Sequence, residues 1–134
     1  MVNFQNSSDD KVEDIVRRVK RFFENNNNVV FALIFGSYAM GKQKKGSDVD
    51  VAVYFINPPQ GMALLELINK LCEQVGKEVD LIVLNHASPF VRHQVMKNRL
   101  TVFIKDHLIY RKFREKTMTD YDEYKFISGM HIYD

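Results

Sequence analysis

Two apolar runs, joined by a glycine-serine turn and a short basic loop, restrict this chain more than anything else in it. Val29 to Phe35 is almost wholly apolar and rich in β-branched and aromatic residues, which predicts a buried strand. Gly36-Ser37 ends that run. A segment carrying Lys42, Lys44 and Lys45 follows, and Ser47 to Phe55 predicts a second strand that opens on two aspartates, Asp48 and Asp50.

Successive side chains on a strand alternate between faces, so Asp48 and Asp50 project to one side and Val49, Val51 and Val53 to the other. The valines suit a core. Two carboxylates a few ångströms apart repel each other unless a proton or a cation lies between them, so the pair predicts a raised pKa or a divalent ion. Oxygen ligands alone favour Mg²⁺ over zinc. At Gly36 the missing Cβ lets backbone N–H groups approach an anion, and the Ser37 hydroxyl adds a donor. A triphosphate bridged by Mg²⁺ satisfies both halves, and an antiparallel pairing of the two strands brings all four residues to one sheet edge.

The remaining segments supply a scaffold of matching size. At 134 residues the chain is long enough for one domain with a real core, 1–134, in which 106–134 reads as a helical C-terminal extension. With 46% hydrophobic and 27% charged residues, disorder is excluded as the main description. A net charge of +2 is low for a duplex-binding protein of this length, so no direct duplex nucleic-acid binding is expected. One cysteine, Cys72, allows no internal disulfide and fits a reducing compartment. Neither a run of about 18 apolar residues nor a signal-peptide pattern is present, so no membrane association and a cytoplasmic location are expected.

Ser8 to Asn25 predicts a first helix capped by Ser8 or Asp9, with Val12, Ile15, Val16, Val19, Phe22 and Phe23 as its apolar stripe. Four asparagines, Asn25 to Asn28, stop it. After Asn57-Pro58-Pro59, a helix over Gln60 to Val75 is predicted to bury Leu64, Leu65, Ile68, Leu71, Cys72 and Val75, and Gly76 ends it. Lys77 to Leu84 predicts a third strand, placed parallel to the second by a right-handed crossover. That arrangement brings Asp80 beside Asp48 and Asp50 as a third carboxylate, with Glu78 on the same face as its competitor.

Further on, Ser88-Pro89 predicts a cap and first turn of a helix reaching Asn98, and Leu100 to Ile104 a short edge strand. His86, His93 and His107 lack the spacing of a zinc site and read as structural or exposed. From Asp106 to about Phe126 the chain reads as helical up to Thr117 and again after Thr119. Its interleaved aromatic and basic residues, Tyr110, Phe113 and Arg114 among them, suit core packing or a protein partner better than stacked bases. The whole is an α/β (α+β) pattern: a mixed sheet of three to four strands flanked by helices.

Gly36-Ser37-Tyr38-Ala39-Met40-Gly41 followed by Ser47-Asp48-Val49-Asp50-Val51 resembles the DNA polymerase β-type nucleotidyltransferase superfamily. The similarity is greatest to its smallest members, the minimal nucleotidyltransferase (MNT) antitoxins of HEPN/MNT toxin-antitoxin pairs. The specific motif spans fifteen residues; element order and length agree over most of the chain. The resemblance implies that Gly36 and Ser37 hold nucleotide phosphates and that Asp48 and Asp50 bind Mg²⁺, with Asp80 completing the metal and catalytic set. Family members often carry a basic residue where this chain has Met40, so that phosphate contact is either missing or supplied by Lys42, Lys44 or Lys45. The implied activity is transfer of AMP from ATP to a tyrosine of a cognate HEPN ribonuclease toxin. The alternatives are a non-catalytic antitoxin that blocks the toxin by binding, or a transferase acting on a small molecule or an RNA end.

Overall fold

The computed structural model describes residues 11–132. Within them the chain runs α1 (Val12–Phe23), β1 (Val29–Phe35), β2 (Val49–Phe55), α2 (Gly61–Val75), β3 (Val79–Val83), α3 (Pro89–Lys97), β4 (Leu100–Ile104) and α4 (His107–Ile132), with a 3-10 turn at Leu84–His86. The strands form one mixed sheet in the order β3-β2-β1-β4. β1 is antiparallel to both β2 and β4, and β3 runs parallel to β2, as the crossover through α2 requires.

Alternation along the strands divides the core into two layers. Val49, Val51, Val53 and Phe55 of β2 face α1 and α2, where Ile15, Val19, Phe23, Leu71 and Val75 are buried against them. Ala52 and Tyr54 point the other way, into a cluster with Phe31, Leu33, Val95, Tyr110 and Phe113 beneath α3 and α4. That second layer is aromatic: the Phe31 ring stacks on Tyr54 at 5.3 Å and meets Tyr110 and Phe113 edge-on at 4.8 and 5.3 Å.

Amide side chains close the sheet at the end where β2 stops. Asn85 donates to the Phe55 carbonyl at 2.8 Å and accepts from the Phe55 N–H at 3.0 Å, standing in for one more strand residue. Asn28 does the same to the backbone of Asn57, at 2.8 and 2.7 Å. Asparagine carries a donor and an acceptor at peptide-like spacing, which is why it can terminate a ladder without leaving buried backbone groups unpaired.

Several boundaries differ from the sequence reading. α1 ends at Phe23, and its expected cap at Ser8 or Asp9 lies outside the described residues. β2 begins at Val49, so Asp48 stands on the approach to the strand. β3 is confined to Val79–Val83 because Leu84 turns into the 3-10 segment. On α2 Leu65 is exposed, and Leu67 packs on the core in its place. At about 100° per residue Leu65 lies roughly 120° around the helix from buried Leu71.

The largest correction is α4, a single helix of 26 residues with no interruption at Thr117 or Thr119. Thr117 is buried against α3 and takes a hydrogen bond from Arg92 Nη1 at 3.5 Å. Packing of this kind outweighs the few tenths of a kcal/mol that a β-branched residue costs in a helix. Arg92 Nη2 also reaches Asp120 at 3.0 Å, and the hydrogen bonds from Lys116 and Arg92 hold the Asp120 carboxyl below its ordinary range. The Ser88 cap is as expected, its hydroxyl accepting from Val91 N at 3.2 Å. Among the described residues no helix is long and apolar enough to cross a membrane.

Candidate active site

At the end of the sheet opposite the asparagine clamps, three strands converge on one cluster of polar residues. β1 ends at Phe35, which pairs with Asp50 across the antiparallel ladder, and Asp50 sits beside Asp80 in the parallel one. Gly36 follows at φ +73°, in the left-handed region that glycine occupies without strain. A Cβ at Gly36 would lie far inside van der Waals contact with Asp50 Oδ2 and 3.0 Å from Asp50 Cγ. Glycine is therefore required twice here, by the backbone angle and by the carboxylate lying against it.

The segment after Gly36 winds into a single helical turn. Met40 N donates to the Gly36 carbonyl at 3.1 Å and Lys42 N to the Ser37 carbonyl at 2.9 Å. The first N–H groups of such a turn have no partner within it and are available to an anion. Tyr38 anchors the turn, its ring 1% exposed and packed into the α1/α2 layer. Sequence reasoning gave Tyr38 no role. The available signal was a large aromatic among small and polar neighbours directly after the glycine. Lys42, Lys44 and Lys45 are exposed on the loop that follows, where Ser47 Oγ accepts from Lys44 N at 2.8 Å and shapes the return to β2.

Asp50 is partly buried, whereas Asp48 and Asp80 are exposed. Burial raises the Asp50 pKa above its ordinary 3.8, and the charges of Asp80 and Asp48 and a hydrogen bond with Asp80 push it further in the same direction. Neighbouring carboxylates of this kind disfavour a full negative charge on Asp50, and a proton or a cation relieves it. Asp50 and Asp80 share the face of Ala52, Tyr54 and Ile82, the α3/α4 side of the sheet. Glu78, which shares its face with Asp80, is exposed and is not among the groups that shift Asp50; its backbone carbonyl accepts from Val49 N at 3.0 Å.

Gly36, Ser37, Asp48, Asp50 and Asp80 thus meet at one sheet edge, with Lys42 on the loop beside them. Among the described residues no three His, Cys, Asp or Glu side chains already stand as a metal cage. Asp50 and Asp80 are side by side in the parallel ladder, and Asp48 stands just before β2. An acidic edge facing a turn with unpaired N–H groups has the chemistry to take a hard cation on one side and an anion on the other.

Residues 17–108 match the family described as "Polymerase beta, Nucleotidyltransferase", and the chain belongs to that family. It is 31% identical over 93 residues to a Methanocaldococcus jannaschii chain named as a protein adenylyltransferase, covering 69% of this chain and 95% of the relative. A crystal structure described as a toxin-antitoxin with AMP-PNP superposes with a TM-score of 0.76 at 27% identity, covering 90% of this chain and 94% of that one. A tri-AMPylated Shewanella oneidensis HEPN toxin in complex with MNT antitoxin gives a TM-score of 0.75 at 22% identity, over 90% of this chain and 95% of that one; this likeness is one of fold.

Proposed function

We propose that this nucleotidyltransferase acts as an antitoxin: it transfers AMP from ATP to a tyrosine hydroxyl of a partner HEPN ribonuclease and silences it. The observation that carries this reading is the meeting of Asp48, Asp50 and Asp80 with the Gly36-Ser37 turn at one sheet edge. The name of the archaeal relative supports a protein as acceptor. The toxin-antitoxin structures of the same fold support a HEPN partner and an adenine nucleotide.

The donor set fits Mg²⁺. All three groups are oxygen ligands, and the burial and neighbouring carboxylates that raise the Asp50 pKa disfavour an uncompensated charge, which a divalent cation offsets. Asp48, Asp50 and Asp80 would hold the ion, and when bound it neutralises charge on the phosphate oxygens. Gly36 and Ser37 hold the phosphate chain, and Lys42 approaches it from the loop. Asp80, exposed beside Asp50, helps hold the ion or accepts the proton of the attacking hydroxyl. The tyrosine oxygen forms its bond to the α-phosphorus as the bond to the bridging oxygen breaks, and pyrophosphate leaves. Such a reaction draws on cytoplasmic ATP.

Neutralisation by binding alone is the second reading, favoured by the large apolar residues Met118, Phe126 and Ile127 exposed along α4. Intact-mass spectrometry of the partner, after incubation with this chain, Mg²⁺ and each nucleoside triphosphate, separates the two. A gain of one or more AMP units, absent with the Asp48→Asn, Asp50→Asn variant, is the expected result. A stable complex with no mass gain from any nucleotide would overturn catalysis in favour of occlusion.

A further inference from the structure

Between α3 and α4, on the same side of the sheet as the carboxylates, lies a cleft of about 230 Å³ lined by His93, Met96, Lys97, Arg99, Arg114 and their neighbours Thr117 and Met118. Lys97, Arg99 and Arg114 bring three positive charges to it, and no carboxylate lines it. Among the described residues none of these three cations takes part in an ion pair. The larger cavity, at the Phe55 end of the sheet, is different: its Arg92 and Lys116 both pair with Asp120.

Two of the cations are held in place, and Lys97 is exposed at the rim. Arg99 donates from Nε to the Tyr110 hydroxyl and from Nη1 to the Met96 carbonyl, both at 2.7 Å. The guanidinium of Arg114 lies 5.3 Å from the centre of the same phenol ring and that of Arg99 lies 6.0 Å from it. One aromatic ring thus draws two like charges together. His93 stacks flat on Tyr121 at 3.6 Å, and its Nδ1 is buried without a hydrogen-bond partner. Like charges gathered without a counter-charge, beside an unsatisfied buried nitrogen, mark a place where an anion is missing.

Register locates the cleft relative to the reaction. Leu100, next after Arg99, pairs with Ile34, and Phe35 pairs with Asp50. Neighbouring strands stand about 4.8 Å apart, so the backbone at Arg99 lies two strand spacings, roughly 10 Å, from that at Asp50. The volume is below the ~300–1,000 Å³ of pockets that enclose a whole small molecule, which suits one phosphate group of a larger ligand.

We propose that this cleft is a second phosphate site, separate from the Gly36-Ser37 turn, that holds a phosphate group of a participant in nucleotidyl transfer. Two participants carry such a group: the polyphosphate of the donor nucleotide, and the phosphodiester of an acceptor that already bears a nucleotide. The assignment to a participant rests on the proposed reaction; the phosphate binding itself does not.

The test is an NMR titration of the full chain with inorganic phosphate at constant ionic strength, reading the His93 ring resonances. A saturable shift is expected. The Lys97→Gln, Arg114→Gln variant should weaken it about ten-fold or more, since each charged hydrogen bond lost is a substantial part of so small an affinity. Arg114→Lys alone should keep most of it, while Gly36→Ala should leave it in place. No shift beyond that given by chloride, or a shift lost with Gly36→Ala and kept in the double variant, would overturn the site. Displacement of the bound phosphate by AMP-PNP assigns the cleft to the donor, and displacement by the dinucleotide adenylyl-adenosine to the acceptor. Displacement by neither would overturn the role in transfer even where phosphate binds, and that outcome is independent of whether the partner protein gains mass.

Discussion

The two faces of the sheet are built from different materials. Toward α1 and α2 the packing is mostly aliphatic and closed: Ile15, Val19, Val49, Val51, Val53 and Leu71 are fully buried, with Phe23, Tyr38 and Phe55 set singly among them. Toward α3 and α4 the layer is richer in stacked aromatic rings, the two cavities described above lie on that side, and Asp50 and Asp80 project there. A dry aliphatic layer can hold a backbone to tenths of an ångström, and the site needs that accuracy on the other face. Stability and chemistry are thereby separated by the thickness of one sheet, and substitutions on the two faces should fail in different ways.

The sharpest break in that contrast is Asp50→Asn. It should reduce nucleotidyl transfer by three orders of magnitude or more, roughly 4 kcal/mol of transition-state stabilisation, while urea unfolding shows no loss of stability. A parallel loss of stability would mean that the pair is structural. Phe23→Ala, on the aliphatic face, should do the reverse, lowering the unfolding free energy by about 3–5 kcal/mol with the turnover of folded molecules unchanged. Gly36→Ala joins the two faces. The added methyl must push the Asp50 carboxylate aside, for an expected ~100-fold loss of rate from misplacement and only about 1–2 kcal/mol of stability from the left-handed angle.

A smaller effect concerns pH. Because burial and the neighbouring aspartates raise the Asp50 pKa in the folded state, the folded protein binds its proton more tightly than the unfolded chain does. Its stabilising contribution is therefore present below the unfolded value near 3.8 and is lost as the pH rises through the raised one. Unfolding measured without divalent ions across this window should show wild-type stability falling relative to Asp50→Asn as the pH increases. Added Mg²⁺ should remove the difference, and equal slopes for the two proteins would contradict the shift.

Most of this architecture could be read from the residue pattern because its period is short and its punctuation strong. β1 spans the predicted Val29–Phe35, and the parallel placement of Asp80 beside Asp50 followed from the length of the intervening helix. α4 was misread because two threonines look like a break when only local preference is weighed. Thr117 is instead buried against α3, where it meets Arg92, 25 residues earlier in the chain. The Leu65 error has a similar origin: adjacent leucines both look buried until the helix is placed against one particular neighbour. The cleft at His93 was invisible for a related reason, since Lys97, Arg99 and Arg114 are unremarkable until α3 and α4 pair and Tyr110 gathers two of them.

Gly36 also provides a way to sort relatives by ancestry. Every other amino acid adds a Cβ where the Asp50 carboxylate lies, so the position admits no neutral drift while the site is in use. Gly41, Gly46 and Gly61 also have positive φ but have open space where a Cβ would be, and asparagine should pass there. In a saturation library selected for toxin protection, position 36 should therefore be empty of substitutions while those three keep a few. A lineage that has changed this glycine and kept its aspartates would be one in which catalysis has already lapsed and the carboxylates persist as a relic.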